Sequence, residues 1–533
     1  MDNLRQLETV LVLLGVVLGL APVARKLAVP YPSVLVIGGL VLAVIPGLPA
    51  VRLEPDLVFL VFLPPILWSS AYLMSAHSFR ANFREIRDLA IGLVVATAAA
   101  VAVAAHALFP GMGWGVAWTL GAILSPTDAV AATTVAKRFR IPRRVVAILE
   151  GESLVNDATA LVLYEEAVRA VVTGEHQWGH AIGMFVYASA VGVAIGIIVG
   201  VIGVRAVRLA GEGTIQIGVT LLCPYIAWVL ATQAHGSAVL ACVAGGLYVR
   251  PRLYTGVAPA TRIQMNGVWR LLVDLLNGVI FILIGLQLAS LRAALPGGLW
   301  SHLFDETAVI ALTAIAVRFA YVFGSTDLAH LASKRPRPPA SQQLLIAWTG
   351  MRGILSIAAA LALPLVTDAG TSFPYRSEII LVVFGFVLLT LLGQGLLLAP
   401  IIRLLRFTSD AGESEDETTA RGAAVSAALR QLDTRAGDPD PDGMVRRLRA
   451  EYSGRLSCLV APGGEECVPA PTTADQQLRA ALLRAERTET LRLHSQGKIS
   501  DELLNRLDYE LDVEAIRFGL GDDALDRLSG EKA

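Results

Sequence analysis

Long apolar windows dominate the first 406 residues of the chain, and charged residues or Pro and Gly separate them. A membrane-spanning helix needs about 20 mostly apolar residues, and the windows have about that length. Thirteen of them are predicted to form helices. They run over residues 7–24, 31–49, 54–75, 86–109, 112–136, 144–172, 180–204, 213–232, 235–250, 268–291, 304–330, 342–366 and 376–402. The pattern predicts an all-α polytopic membrane protein.

The connections between these windows alternate in charge. Every second connection is basic, whereas the others hold isolated residues such as Arg52, Arg292 and Arg376. Basic connections mark the cytoplasmic side of a membrane protein, so we expect an external N-terminus and a cytoplasmic C-terminal tail. The basic residues are Arg25 and Lys26; Arg80, Arg84 and Arg87; Lys137, Arg138, Arg140, Arg143 and Arg144; Arg205 and Arg208; Arg250, Arg252, Arg262 and Arg270; Lys334, Arg335 and Arg337; Arg403 and Arg406.

Composition excludes the main soluble classes. Only 17% of the residues are charged and 54% are hydrophobic, against about 25% charged in an average soluble domain. A disordered chain, a coiled coil and a large soluble enzyme are therefore excluded. Charge also divides the chain, because the segment from Thr408 onward holds 16 basic and 25 acidic residues, while the rest holds 28 and 20. We expect a membrane domain over 1–406 and a soluble tail over 407–533.

Within the tail, residues 408–420 are acidic and rich in Ser and Thr, which predicts a linker. Helices are predicted over about 474–496 and 501–517, the second with Ser500 as its N-cap. The apolar face of that second helix, which carries Leu504, Leu507 and Leu511, must pack on the other helix, a second copy or a partner. A regulatory or assembly role is our hypothesis for the tail.

Two windows contain helix-breaking sequences. The fifth holds Leu124-Ser125-Pro126-Thr127-Asp128, where the proline removes a backbone donor, and the twelfth holds Thr349-Gly350-Met351-Arg352-Gly353. They lie seven windows apart and enter the membrane from opposite sides. Paired interruptions mark inverted repeats in transporters, so we expect two six-helix repeats with crossed, broken helices. An ordinary proline kink and a glycine packing notch are the alternative. In the seventh window, Gly192, Gly196 and Gly200 predict close helix packing.

Seven charged side chains interrupt these apolar windows. Each costs at least about 2.5–3.5 kcal/mol at the bilayer centre, which favours a functional role. They are Asp128, Glu150, Glu152, Asp157, Asp274, Arg318 and Arg352. Asp157 is near the centre of its window, and on a helix it shares a face with Ser153, as Asn156 does with Glu152. Asp128 is expected to join Asp157 in the ion site. The expected supporting charges are Glu152, Asp274, Arg318 and Arg352, with Glu152 predicted to pair with Arg352.

These polar groups favour a small hard cation as ligand. Asp157, Asp128 and the free carbonyls of an unwound Thr127 segment supply oxygen, and no His/Cys cluster indicates a transition metal or other cofactor. Desolvation stabilises the protonated form of a buried carboxylic acid. Such a group holds either a proton or a cation, and this mutual exclusion is sufficient for exchange by alternating access.

At these residues the sequence resembles the bacterial sodium/proton exchangers of the monovalent cation:proton antiporter family. The resemblance covers residues 1 to about 406. The matching stretches are Leu63-Pro64-Pro65-Ile66-Leu67, Ser125-Pro126-Thr127-Asp128-Ala129-Val130-Ala131, Glu150-Gly151-Glu152-Ser153-Leu154-Val155-Asn156-Asp157, Asn277 through Gly285, and Gly350-Met351-Arg352-Gly353. One departure is Trp68-Ser69-Ser70, where many relatives carry an acidic residue, and it affects the cation selectivity that we expect.

The resemblance implies an antiporter in the bacterial plasma membrane, with a core domain that moves against a dimerisation domain in a homodimer. Asp157 is then the carrier of Na⁺ and of the proton, and Thr127, Asp128 and Ser153 are its neighbours in the ion site. Asn156 stabilises the unwound crossing, and the Asn156-Asp157 pair is similar to that of electroneutral members.

Several functions remain open at this point. The leading hypothesis is exchange of Na⁺, or of Li⁺ or K⁺, for H⁺, and a K⁺/H⁺ antiporter is the nearest alternative. A polytopic membrane enzyme is a third, although the short connections lack nucleophile constellations. A channel would need a filter loop that the sequence does not contain. The expected partners are monovalent cations, protons, the lipid bilayer and a second copy of the chain, with no nucleic acid.

Overall fold

The computed structural model of the chain describes residues 2–27, 30–44, 58–74, 76–130, 133, 141–174, 178–253, 256–294, 299–333, 337–405, 407, 411–434, 443–460 and 473–517. Within these ranges the regular structure is helical, apart from one isolated antiparallel bridge between Val366 and Ser372. The predicted all-α class is confirmed.

The helices of the apolar part follow the predicted windows. They are α1 (Asp2–Leu27), α2 (Tyr31–Val44), α3 (Leu63–Leu73), α4 (Ala76–Ala81), α5 (Phe83–Arg87), α6 (Val94–Leu108), α7 (Trp114–Leu124), α8 (Arg143–Thr173), α9 (Trp178–Leu209), α10 (Gly213–Gln233), α11 (Ala238–Leu253), α12 (Pro259–Ala294), α13 (Leu299–Ser333), α14 (Ala340–Trp348), α15 (Ile354–Leu361), α16 (Arg376–Leu388) and α17 (Gly395–Leu405). Turns of π-helix lie directly before α3 (Val58–Phe62), before α6 (Asp88–Leu93) and after α16 (Leu389–Gln394).

Six helical stretches in the described residues are long and apolar enough to cross a bilayer on their own. They are Phe83–Leu108, Gly183–Leu209, Gly213–Gln233, Pro259–Gln287, Leu303–Leu328 and Arg376–Leu405. Shorter apolar helices accompany them, among them Tyr31–Ala43 and Trp114–Leu124. Helix α8 is 31 residues long, and the charged residues along it distinguish it from these stretches. The chain is a multi-pass membrane protein.

The helices pack as two groups. The first group consists of α1–α3 and α9–α12, and the second of α4–α8 and α13–α17, each packed mainly within itself. The fewer contacts between the groups join α8 to α3, α9 and α11, α15 to α12, and α2 to the π-helical turn Leu389–Gln394. Close packing in the first group depends on small residues. A Cβ at Gly192 would lie 2.4 Å from the carbonyl oxygen of Ser237, just before α11, and one at Gly196 would lie 2.2 Å from that of Ala241 in α11. The predicted glycine packing face is confirmed.

The tail forms a helical unit of α18 (Ala411–Asp433), α19 (Met444–Val460), α20 (Thr473–Ser495) and α21 (Asp501–Arg517). Helices α20 and α21 correspond to the two predicted helices, and Ser500 caps α21 by accepting a hydrogen bond from the Leu503 amide at 3.2 Å. Apolar side chains of α18, α19 and α20 form one core, and Leu504 and Leu507 of α21 belong to a second core that includes Ala420.

The predicted linker over residues 408–420 is wrong from residue 411 onward, where α18 begins. Residues 408–410 lie outside the described part of the chain. The helix forms because Val425, Ala428 and Leu432 pack in the first tail core and Ala420 in the second. A buried apolar face stabilises a helix more than local composition does. Acidic composition alone therefore did not predict the secondary structure of this segment.

Candidate ion-binding site

The two predicted interruptions are present, and they meet. Helix α7 ends at Leu124, and the chain stays non-helical through Ala129. Helix α14 ends at Trp348, and residues 349–353 are non-helical before α15 begins. The Asp128 amide donates to the Met351 carbonyl at 2.8 Å, so the two segments touch backbone to backbone. The expected crossing of broken helices is present.

Helix α8 stabilises this crossing through two polar side chains. The Asn156 amide nitrogen donates to the Thr127 carbonyl at 3.0 Å and to the Thr127 hydroxyl at 2.9 Å. The Ala129 amide donates to the Ser153 hydroxyl at 3.3 Å. Asn156 is fully buried, and its own carbonyl oxygen has no hydrogen-bond partner among the described residues. The geometry therefore places Asn156 at the crossing, where the resemblance implied it.

Glu152 pairs with Arg318, so the predicted pair with Arg352 is wrong. The Arg318 guanidinium donates to both carboxylate oxygens of Glu152, at 2.5 and 2.9 Å, and also to the Ile346 carbonyl. Glu152 in turn accepts a hydrogen bond from the Thr127 hydroxyl at 2.9 Å. Arg318, Glu152, Thr127 and Asn156 thus form one continuous buried network, which fixes the position of the Thr127 segment.

Arg352 instead binds backbone carbonyls at the crossing. Its guanidinium donates to the Leu124 carbonyl at 3.0 Å and to the Gly350 carbonyl, and it lies 5.2 Å from the centre of the Phe386 ring. Leu124 is the last residue of α7, where carbonyls lack intrahelical partners and carry partial negative charge. The guanidinium satisfies these groups, which explains why it does not reach Glu152.

A cavity of about 960 Å³ separates the two helix groups next to the crossing. The second group contributes Thr127, Asp128, Ser153 and Asp157 to its wall. Among the described residues, no basic side chain forms an ion pair with the Asp157 carboxylate. Arg318 is engaged with Glu152, and Arg352 with backbone carbonyls. Asp128 accepts the Val130 amide at 2.8 Å. Two carboxylates, a hydroxyl and a backbone carbonyl therefore line one cavity, which is the ligand chemistry of a hard cation.

The family model for the transmembrane part of sodium/hydrogen exchangers matches residues 11–404, about three quarters of the chain. The chain belongs to this exchanger family. An uncharacterised Na⁺/H⁺ exchanger of Mycobacterium tuberculosis is 34% identical over 95% of the chain and 94% of its own length. A Na⁺/H⁺ antiporter of Aphanothece halophytica is 28% identical over 93% of the chain and 95% of its own length.

The fold of this exchanger also matches a solved structure. The sodium/proton antiporter MjNhaP1 of Methanocaldococcus jannaschii superposes with a TM-score of 0.60 over 76% of the chain and all of the antiporter, at 18% identity. These similarities identify the chain as a bacterial monovalent cation:proton antiporter, as the sequence motifs predicted. Since its relatives are transporters, they lend no support to the alternative of a polytopic membrane enzyme.

The exchanger places its remaining predicted charges around the same cavity. Asp274 of α12 lines the wall that the first helix group contributes, and Glu150 lines the opposite wall on α8. In α3, Trp68 is buried against Gly245 and Gly246 of α11. The hydroxyls of Ser69 and Ser70 donate to the Ile66 carbonyl. The described part of α3 thus contributes no carboxylate at the position where many relatives have one.

The cavity wall also contains polar residues that were not predicted as site residues. Ser356, in the first turn of α15, lines the cavity, is 1% exposed, and has a hydroxyl without a partner among the described residues. Asn277 lines the opposite wall. Gly353 was predicted only as a weak point, but a Cβ there would lie 2.2 Å from the Asp128 carboxylate. A small polar residue one turn after an interruption was the available signal for Ser356.

Proposed function

We propose that this exchanger moves Na⁺, or Li⁺ or K⁺, across the bacterial plasma membrane in exchange for H⁺, by alternating access. The single observation that carries the proposal is the position of the Asp157 carboxylate. It faces a large cavity, beside the backbone of the broken helices, and has no basic partner in the described residues. A paired carboxylate would be neutralised permanently, whereas this one is available to a cation or a proton.

In this mechanism Asp157 carries both ions in turn. When it is ionised, a dehydrated cation binds its carboxylate, and the Thr127 carbonyl, the Asp128 carboxylate and the Ser153 hydroxyl replace the lost water ligands. The Ser356 hydroxyl is a further oxygen at the same wall. Protonation of Asp157 removes the charge that offsets cation dehydration, so the cation dissociates. Transport follows when the loaded site faces each side of the membrane alternately.

One charge exchanged per cycle supports electroneutral transport of one cation for one proton. Asn156 stands beside Asp157 as a neutral residue, while Glu152 and Arg318 neutralise each other. If Asp128 stays ionised throughout the cycle, it does not change the net charge that is moved across the membrane. The proposal of cations other than Na⁺ is supported by similar antiporters of Bacillus pumilus and Bacillus subtilis, whose names include sodium, potassium, lithium and rubidium. A K⁺-preferring exchanger is therefore the second candidate.

The proposal includes the arrangement in the membrane. Thirteen spans form two inverted six-helix repeats, with the N-terminus outside and the tail in the cytoplasm. The support is the alternation of basic connections and the crossing of the two interrupted segments, seven predicted spans apart. The two helix groups on either side of the cavity are suited to move against each other, the first group also forming a homodimer.

Everted membrane vesicles loaded with a pH-sensitive dye test this function. Addition of Na⁺, Li⁺ or K⁺ is expected to release protons from vesicles that contain the wild-type protein. Asp157→Asn removes the ionisable group and should abolish this response at unchanged expression. Asp327→Asn is the matched control, because Asp327 is 53% exposed in a surface pair with Arg337. Absence of any cation response in the wild type, or normal exchange by Asp157→Asn, would reject the proposal.

A further inference from the structure

Three arginines of the membrane domain, Arg143, Arg250 and Arg262, hold residues of the tail against that domain; we call them the basic rim. Arg262 donates to both carboxylate oxygens of Asp512, at 2.9 and 2.7 Å, and this ion pair is buried, with side chains 7% and 3% exposed. Arg250 donates to the Asn505 side chain at 2.9 Å. The acidic face of α21 is therefore complementary to the rim.

The rim spans both helix groups. Arg250 and Arg262 belong to α11 and α12 of the first group. Arg143 begins α8 of the second group, the helix that carries Asp157, and it donates to Ser500 and lies 3.6 Å from Glu502. One rigid helix with its cap is thus fastened to both groups at once. Ser500, Asp501, Glu502 and Asn505 also form part of the cavity wall near the ion site.

We infer that α21 is a releasable strap, which slows exchange while bound to the basic rim and speeds it when an alkaline cytoplasm releases it. This inference rests on the proposed function, because a strap across the two groups matters only if they move in the transport cycle. The bound strap restrains that motion and narrows the path between the cytoplasm and Asp157.

Asp508 supplies the pH dependence. Its side chain is 3% exposed between the tail and the membrane domain, and neither carboxylate oxygen has a hydrogen-bond partner among the described residues. Burial raises the pKa of Asp508 from 3.8 to about 8, with a further increase from Asp512 and an opposing effect of Arg250. Released into water, the carboxyl returns toward its ordinary pKa. The bound state therefore holds the proton more tightly than the free state does.

This difference in pKa sets the direction and the size of the pH effect on strap binding. A pKa raised in the bound state favours binding at low pH, and that advantage is lost as the pH rises through about 8. Between pH 7 and pH 9 the binding constant of the strap should fall about tenfold. The charged neighbours that face this region are Asp512 on α21, Arg487 on α20 at 3.7 Å from Asp508, and Arg250 and Arg262 on the membrane domain.

A pair of histidines lies at the other end of the strap and needs its own control. His494 of α20 binds Asp501 at 2.9 Å, and its ring centre is 6.2 Å from that of His77 on α4. His494→Gln removes this titratable group while Asp508 stays intact. If Asp508 sets the response, that variant keeps the wild-type pH dependence.

The experiment measures strap position and exchange in the full chain. Spin labels at Leu209→Cys and Val513→Cys, both exposed positions, report the distance between α9 and α21 after the four native cysteines are replaced by serine. We expect a narrow distance distribution at pH 6.5 and a broad one at pH 9. Asp508→Asn should keep the narrow distribution at both pH values, and its exchange should lack the alkaline increase of the wild type.

Arg262→Ala is the complementary variant, because it removes a rim contact while Asp512 keeps its bond to Arg487 inside the tail. It should broaden the distance distribution at pH 6.5 and raise exchange there several-fold. Arg252→Ala, at an exposed arginine whose contacts are with Tyr248 and Arg208, is the matched control and should change neither. The inference would be overturned if the wild type exchanged normally while its spin-label distance did not change with pH. It would also be overturned if Asp508→Asn showed the same pH dependence of distance and exchange as the wild type. Vesicles without any exchange would instead contradict the proposed function.

Discussion

Removal of the Arg318 charge is expected to destabilise the protein strongly through Glu152. Both side chains are 2% exposed, and the guanidinium binds both carboxylate oxygens. Breaking a buried pair by deleting one partner costs about 3–5 kcal/mol, because the remaining charge is uncompensated. Arg318→Met keeps much of the apolar stem and removes the charge. We therefore expect its free energy of unfolding to fall by about 3–5 kcal/mol.

A second change separates the charge effect from lost packing. Glu152→Gln, combined with Arg318→Met, removes the stranded charge and keeps an oxygen that accepts the Thr127 hydroxyl. The double variant still lacks the bonds from Arg318 to the Ile346 carbonyl, each worth about 1 kcal/mol. It should therefore remain destabilised by about 1–2 kcal/mol and recover roughly 2–3 kcal/mol relative to Arg318→Met alone.

Unfolding in mixed micelles of dodecyl maltoside and SDS, followed by far-ultraviolet circular dichroism, measures these differences. Arg337→Met is the control, because Arg337 pairs with Asp327 at the surface with side chains 57% and 53% exposed, and such pairs contribute less than about 1 kcal/mol. A double variant as unstable as Arg318→Met would refute the reasoning, since Glu152 would then not depend on the arginine charge.

Three further predictions address the site and the tail. Gly353→Ala should abolish exchange at normal expression, because the new Cβ would displace Asp128; normal vesicle transport would contradict this. Ser356→Ala should raise the Na⁺ concentration for half-maximal exchange several-fold without changing the maximal rate, and an unchanged Na⁺ dependence would exclude Ser356 as a ligand. Burial raises the pKa of Glu486 from 4.5 to about 7, so the tail bundle should lose stability as the pH rises through 7. Amide exchange at pH 8.5 should therefore be slower in Glu486→Gln than in the wild type; equal rates would contradict the assignment.

The sequence predicted the helices and the crossing because both depend on local chemistry. A bilayer requires long apolar helices, so hydropathy locates them, and Pro126 opens a helix wherever it lies. The crossing was also predictable, since the two interruptions occupy corresponding positions in the chain.

The partner of Glu152 was not predictable from the sequence. Arg318 and Arg352 are equivalent by type and by depth in their windows. Which of them pairs with Glu152 depends on where α13 and the interruption between α14 and α15 lie relative to α8. Only the tertiary structure shows that Arg352 donates to the carbonyl of Leu124, at the end of α7, and to that of Gly350, within the second interruption. Likewise, the contacts of Ala420 and Val425 with the tail core, which make α18 a helix, involve residues far along the chain.

The contacts of the strap with the basic rim were likewise not predictable from the sequence. Asp508 and Asp512 look like ordinary residues of a charged, solvated helix, because eight of the 17 residues of α21 are charged. Their burial follows from a membrane domain that presents Arg250 and Arg262 at the same face. The acidic charge of the tail was visible in the sequence, but its complementarity to the rim required both surfaces.

Proton release on Na⁺ binding to the purified protein is the most direct test of the claim that one carboxylate holds either ion. Titration calorimetry in buffers of different ionisation enthalpy gives the number of protons released per Na⁺ bound. We predict a value that approaches one at a pH where Asp157 is protonated before Na⁺ binds, and neither Na⁺ binding nor release in Asp157→Asn. Na⁺ binding with no proton release at any pH, or unchanged binding by Asp157→Asn, would contradict the account.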